Sequence, residues 1–523
     1  MTDFATDEQL PAVPREERLR SVLVVGGGSA GWMAAAYLAT ALSRDIRITL
    51  VESEAIGIVG VGEATIPPLK QFNRFLRIDE REFIQATQGS FKLGIDFHNW
   101  GRIGDLYMHQ FGTAGREVDT VIKLHHWWLT GRLAGETDYP AFEDVFPAKA
   151  IGRANRFAPP SLDQRAILGR YTYAYHFDAF LYGQFLRKLA EERGVSRVEG
   201  MIEGAERDGA SGDVSAVVLK DGRRLEADLF IDCSGFRSLL LGSELAERFE
   251  DWSQWLPNDR AWASTSERES DKIVPYTRAT ALEVGWQWRI PLQHRIGSGH
   301  VFSSAFSSEE AGLERLKATL DTPIIREPAL LKFKAGRRQR SWVKNVVALG
   351  LASGFLEPLE STSIHLVQAS IERLVDYFPT RHMDPVLRDR FNRDTQQDWE
   401  RVRDFIIGHY HLTERTDSDF WNHVRTMTVP DSLAERFELW RERGILAIEG
   451  NHLFQLGSWT SVLIGQRFLP KGVHALADRA DPAYAARQIR DVVREVEIEA
   501  SRLPMHDRFL AEHCPAPPEI GRM

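Results

Sequence analysis

The chain has 523 residues, a length that calls for two or three structural units rather than one simple core. Apolar residues make up 43% and charged residues 27%, the balance of a soluble globular protein, and a net charge of −9 argues against a general nucleic-acid binder or a basic membrane-surface protein. Two cysteines, Cys233 and Cys514, with no CxxC, argue against a disulfide framework or a thiolate cluster and fit a reducing compartment. Residues 1–18 mix acids, arginines and two prolines without the apolar stretch of a signal peptide, so they read as a mobile tail. No uninterrupted apolar run reaches membrane-spanning length, and the expected location is cytoplasmic.

Ser21-Val22-Leu23-Val24-Val25 reads as a short buried strand. Gly26-Gly27-Gly28-Ser29-Ala30-Gly31 follows it and matches GxGxxG. An alanine-rich helix comes next, then a strand over 46–51 that ends at Glu52. This is a complete βαβ unit. Gly26 permits the tight turn, Gly28 lets backbone approach a pyrophosphate, and Gly31 lets helix pack close on strand. Glu52 lies 21 residues after Gly31, where a carboxylate can accept from a ribose hydroxyl. The residues therefore predict dinucleotide binding.

A second glycine stretch, Gly57-Ile58-Val59-Gly60-Val61-Gly62-Glu63-Ala64, puts backbone beside a flat ligand or is a plain flexible loop. Lys92, in Phe91-Lys92-Leu93-Gly94, has apolar neighbours. The usual case is a stem lying on apolar surface with the amine in water. His125 and His126 are adjacent and point different ways, a poor metal pair, and no metal site is expected. Residues 229–231 read as another strand, leading through Asp232 into Cys233-Ser234-Gly235, a second backbone approach to the same cofactor. Cys233 reads as core. Gly285-Trp286-Gln287-Trp288-Arg289-Ile290-Pro291 alternates as a strand with both tryptophans on one face, which by itself is a packed sheet face.

Residues 346–349 read as a buried strand. After them comes Gly350-Leu351-Ala352-Ser353-Gly354-Phe355-Leu356-Glu357-Pro358-Leu359-Glu360-Ser361-Thr362-Ser363. Ile364, Val367, Ile371, Leu374 and Phe378 then share one helical face. A helix mouth has free N–H groups and can hold an anion, and Glu360 reads most simply as a favourable first-turn acid. Beyond Phe378 the chain is mostly helical.

Together, GxGxxG, the GWxWxIP pattern at 285–291, Lys92 in Phe-Lys-Leu-Gly and Pro358-Leu359-Glu360-Ser361-Thr362 resemble the flavin-dependent halogenases of the tryptophan halogenase family, from about residue 21 to about residue 470. The resemblance implies an α/β fold. Its core is FAD-binding and Rossmann-type, like that of p-hydroxybenzoate hydroxylase, with a mixed sheet and a largely helical C-terminal substrate region. The expected organisation is a tail over 1–18, an FAD module over 19–378 with inserted substrate-facing segments, and a mainly helical substrate-side region over 379–523.

It also implies a two-component enzyme. A separate flavin reductase supplies reduced FAD, chloride or bromide is the co-substrate, and hypohalous acid passes inside the protein to a small electron-rich aromatic substrate. By the same resemblance Lys92 captures the hypohalous acid and Glu360 assists, by polarising the oxidant or taking the ring proton. The cofactor set is Gly26, Gly28, Ser29, Ala30, Gly31, Glu52, Gly62, Glu63, Ala64, Gly350 and Ser361. Thr362 and Ser363 hold the halide through backbone N–H groups, Trp286 and Trp288 flank the flavin, and His109, Phe111 and Trp459 line the substrate. No nucleic acid or membrane partner is expected, and a homodimer is compatible with the chain.

Two departures separate the chain from the tryptophan-specific members. Ser363 replaces a glycine, and the segment Asn451-His452-Leu453-Phe454-Gln455-Leu456 lacks the tyrosine pair that holds the amino-acid group. Indole or a related small aromatic therefore fits better than free tryptophan. Two other readings remain open at this level: a one-component FAD monooxygenase, for which no second nucleotide fingerprint is visible, and a non-catalytic dinucleotide-binding regulator.

Overall fold

The computed structural model describes residues 14, 16–56, 62–268, 272–448, 450 and 452–517. Most of the expected tail therefore lies outside the described residues, as do Gly57, Ile58, Val59, Gly60, Val61 and Asn451.

The first layer is a six-stranded sheet. In spatial order its strands are Trp342–Val343, Val346–Ala348, Leu229–Asp232, Ser21–Val25, Arg47–Glu52 and Ser196–Glu199. All are parallel except the short Trp342–Val343 edge. The central strands are buried throughout because both faces are covered, so they carry no alternation. Gly26 leaves the first strand at φ +111, and a Cβ there would stand 2.4 Å from the Cys233 carbonyl oxygen. A residue with a side chain is excluded on both counts. The helix Ser29–Ala41 follows, and the predicted βαβ unit is present.

A seven-stranded sheet carries the other half: Ile324–Lys332, Arg260–Ser266, Ile296–Phe302, Trp286–Pro291, Thr277–Ala281, Gly94–His98 and Leu106–Gln110. Its one parallel pairing joins Thr277–Ala281 to Gly94–His98. Trp288 pairs with Gly299, where a Cβ would overlap the indole ring at 2.1 Å. A small antiparallel sheet, in which Gly62–Ala64 and Ser90–Lys92 both pair with Ala174–Asp178, packs against the seven-stranded one. The strand carrying Lys92 is thus tied to the flank of the second glycine stretch.

The helix after the acidic mouth is Ser363–Asp376. Its buried face is Leu366, Val367, Gln368, Ser370, Ile371 and Leu374, so the predicted face is shifted: Ile364 is half-buried and Phe378 lies past the helix. Beyond it come the helices Pro385–His411, Asp419–Thr426, Asp431–Arg443, Leu456–Gly465 and Pro482–Ser501. They share one core with the seven-stranded sheet, in which Phe405, Trp421, Trp459 and Val492 pack with Phe97, Trp100 and Trp286. A second core lies under the six-stranded sheet and includes Val24, Trp32, Phe91, Val347 and Ile371. Among the described residues no helix is long and apolar enough to cross a membrane.

Candidate functional site

Lys92 ends its strand, and Gly94 opens the next. A Cβ on Gly94 would meet the His109 carbonyl oxygen at 2.5 Å, so the glycine is what lets the strand that follows Lys92 run beside the one that carries His109. The amine is not in water. Lys92 is fully buried, and Nζ donates to the Thr65 carbonyl at 2.9 Å and to Ser361 Oγ at 2.8 Å. Burial pushes its pKa down to about 7, against the opposing pull of Glu360. The snorkelling expected from sequence fails because the amine finds two acceptors inside. A neutral amine that donates both protons keeps its lone pair free.

Glu360 is not a first-turn acid. It closes a 3-10 turn, Pro358–Glu360, that precedes the helix. Ser361 then takes the left-handed conformation, φ +58, and points its hydroxyl at Lys92. The Glu360 carboxylate has no solvent exposure. His109 Nδ1 donates to one oxygen at 2.7 Å, and His409 Nε2 lies 2.7 Å from the other, off the line of an ideal hydrogen bond. Burial pushes this carboxyl up, but His109 and His409 outweigh it and hold it down at about 2. At neutral pH the site therefore pairs a lysine near its midpoint with a carboxylate held firmly ionised.

Aromatic rings surround the pair. The Phe111 ring centroid is 5.3 Å from Lys92 Nζ and 6.4 Å from the His109 ring. Trp459 meets Phe405 edge-on at 4.8 Å. Phe405 is itself 5.5 Å from His109 and stacks on Phe454 at 3.7 Å. Phe405, which sequence did not single out, thus joins Trp459 to His109, and His109 in turn meets Phe111.

On the flavin side, among the described residues, the place a Gly28 Cβ would take has no atom within 4 Å and no side chain caps the helix Ser29–Ala41. Glu52 lies against Gly27 and accepts from Arg197 Nε at 2.7 Å. An open glycine loop, an uncapped helix N-terminus and a carboxylate at the end of the neighbouring strand suit a pyrophosphate and a ribose. Gly350, at φ +62, comes so close to Ala30 that a Cβ there would be 3.0 Å from the alanine's, so the mouth loop touches the glycine loop. Gly62 and Ala64 pair with Asp178 and His176, and burial with nearby Asp178 pushes Glu63 up to about 7.

Trp286 Nε1 donates to Glu357 at 3.2 Å, which ties the tryptophan strand to the acidic mouth, and the Trp288 ring lies over Gly299. At the mouth Thr362 is buried, and among the described residues its hydroxyl has no partner and no side chain caps the helix that begins at Ser363. That N-terminus suits a small anion. Cys233 is buried, and its thiol is pushed well up. Among the described residues no group of three His, Cys, Asp or Glu side chains is placed to hold a metal.

A dinucleotide cradle, an anion-ready helix mouth and a buried lysine–carboxylate pair among aromatic rings, on this fold, are the parts of a flavin-dependent halogenase. The chain belongs to the tryptophan halogenase family, whose model matches residues 21–482. It is 38% identical over 442 residues to the tryptophan 7-halogenase RebH of Lentzea aerocolonigenes, covering 81% of this chain and 82% of that protein. It is 36% identical over 514 residues to the tryptophan 7-halogenase KtzQ of Kutzneria sp. (strain 744), covering 90% and 95%.

Among solved structures, a flavin-dependent halogenase from Xanthomonas campestris matches with a TM-score of 0.92 at 44% identity, over 96% of this chain and 100% of that one. One from Brevundimonas sp. BAL3 matches at 0.91 and 42%, over 95% and 100%. The protein is an FADH2-dependent enzyme with halide as co-substrate, and enzymes of this class rely on a separate flavin reductase. The monooxygenase and regulator readings are set aside.

Sequence reasoning missed Thr65, Tyr107, Glu357, Phe405 and His409. His409 did leave a signal: it is a lone histidine in the buried run Phe405-Ile406-Ile407-Gly408-His409-Tyr410.

Proposed function

We propose that this halogenase acts on indole or a related small electron-rich aromatic rather than on free tryptophan. The observation that carries the reading is the segment beside Trp459. His452-Leu453-Phe454-Gln455-Leu456 has no tyrosine, and its Phe454 packs face to face on Phe405 near the Glu360 cluster. Apolar rings there favour a substrate without a charged amino-acid group, whose burial would otherwise need paired partners. The names of the 36–38% identical relatives favour the second reading, free tryptophan. Parallel assays with a generic flavin reductase, oxygen and chloride or bromide, read by mass spectrometry, decide. Faster turnover of indole supports the proposal; comparable or faster turnover of tryptophan overturns it.

In this reading Gly26, Gly28, Ser29, Ala30, Gly31, Glu52, Gly62, Glu63, Ala64, Gly350 and Ser361 would hold FAD. Reduced flavin bound there supplies, with dioxygen, the oxidant that turns halide into hypohalous acid. Backbone N–H groups of Thr362 and Ser363 hold the halide. Trp286 and Trp288 wall the flavin side off from organic substrate. Lys92 offers its free lone pair to hypohalous acid, as a hydrogen-bonded complex or as an N–halogen bond formed while the O–halogen bond breaks with release of water. Glu360 stabilises the positive charge on the attacked ring and takes its proton. His109, Phe111 and Trp459 line the ring. Residues 379–523 form the substrate side, and the location is cytoplasmic.

A further inference from the structure

The roles above leave one buried pair unused. Tyr107 and His409 form a chain that ends on Glu360. Tyr107 Oη is 3.0 Å from His409 Nδ1, and His409 Nε2 is 2.7 Å from Glu360 Oε1. The imidazole is fully buried. It stacks on Phe97 at 4.7 Å, meets Phe405 edge-on at 5.4 Å, and its backbone carbonyl accepts from Gln466 Nε2 at 3.0 Å.

Donor counting then decides the arrangement. Burial and His109 disfavour an imidazolium, although Glu360 favours one. A neutral ring has one N–H and two claimants. The Glu360 carboxylate can only accept, whereas a phenol can accept or donate. Tyr107 keeps its proton, since burial, Glu360 and Glu143 all raise its pKa while Gln466 opposes them. The arrangement that serves both claimants best has the Tyr107 O–H donating to Nδ1 and the Nε2–H on the Glu360 side, 2.7 Å from Oε1 though off the hydrogen-bond line.

We infer that Tyr107 and His409 are positioning residues for the halogenation step: the Tyr107 hydroxyl fixes the His409 tautomer, and that imidazole holds the second oxygen of Glu360. The inference rests on Glu360 acting in halogenation. With His109 on one oxygen and His409 on the other, the carboxylate is fixed in rotation as well as in charge. A misplacement of about 1 Å in such a group costs up to about 100-fold in rate.

Two substitutions at one position separate positioning from packing. A glutamine amide reaches about where Nε2 stands, and an asparagine amide about where Nδ1 stands. His409→Gln keeps the donor to Glu360 and should hold kcat within about threefold. His409→Asn faces Tyr107 only, and should lose about 30- to 100-fold in kcat with KM unchanged. Tyr107→Phe keeps the ring and frees the tautomer, and should lose about tenfold in kcat with KM unchanged.

In flavin-free protein, infrared titration of the carboxylate band lost in Glu360→Gln should show Glu360 moving up in His409→Asn and staying put in His409→Gln. Nitrogen NMR of flavin-free wild type reads the tautomer even if a variant fails to fold. A proton on Nδ1 overturns the inference. So do equal losses in both His409 variants, or an unmoved carboxylate in His409→Asn. If Lys92→Ala and Glu360→Gln still halogenate at near wild-type rate, the functional reading fails instead, while the infrared and NMR results still test the clamp.

Discussion

Lys92 carries opposite demands of stability and chemistry. Its native pKa, about 7, lies below the ordinary lysine value of 10.5. Between those values the unfolded chain binds a proton that the native chain does not, so stability rises with pH across that window. The destabilising contribution is complete below pH 7, on the order of 5 kcal/mol, and fades as pH approaches 10.5. Lys92→Met should therefore melt higher than wild type at pH 6, with the difference shrinking by pH 10, read by thermal unfolding across pH. A shift of equal size at both would mean that the amine is not depressed. The same variant should lose halogenated product while flavin oxidation proceeds, and wild-type turnover should rise through about pH 7 as the amine becomes neutral. Glu360→Gln removes charge but keeps size. It should cut turnover by roughly 10²–10⁴-fold with aromatic binding nearly unchanged, checked by product analysis beside substrate titration.

At the scale of elements, glycines set how closely strands and loops approach. Gly94→Ala puts a Cβ within 2.5 Å of the His109 carbonyl oxygen and 2.8 Å of Gln110 Cα, and backbone cannot yield as a side-chain tip can. It should cost about 1–3 kcal/mol in denaturant unfolding, and turnover should fall further than stability because Lys92 and His109 move apart. Gly28 differs: among the described residues nothing lies within 4 Å of its absent Cβ. Gly28→Trp should leave the unfolding midpoint nearly unchanged and abolish saturable binding of reduced FAD in a fluorescence titration. Equal binding by the variant would remove the cradle assignment.

For the whole molecule, the boundary near residue 378 separates helix-rich sequence from sheet-rich sequence but not one core from another. Phe405, Trp421, Trp459 and Val492 fill the same apolar cluster as Phe97, Trp100 and Trp286. Losing four such side chains removes about 1.5–3 kcal/mol each, which already matches the 5–15 kcal/mol that holds an ordinary domain together. Residues 19–378 expressed alone should therefore lack near-UV circular dichroism and aggregate. A soluble fragment with a cooperative melt would show instead that the two regions fold independently. Sedimentation of the full chain distinguishes monomer from homodimer.

The sequence by itself determined the elements whose cause is local. Ser21–Val25, the glycine loop and Glu52 follow from an apolar run, a spacing of glycines and a strand end. The helix from Ser363 follows from its 3–4 periodicity, though its buried face was read slightly off. The mouth motif and the tryptophan strand carried the family. Tertiary structure alone decided the state of the reactive groups. Lys92 is buried because Ser361, 269 residues away, offers an acceptor. Glu360 is an ion because His109, 251 residues away, and His409 from the C-terminal helices converge on it. A lysine or a glutamate reads the same in sequence whether it faces water or a sealed core. What sets its protonation is desolvation and the charge within a few ångströms, and those neighbours are supplied by strands and helices hundreds of residues apart.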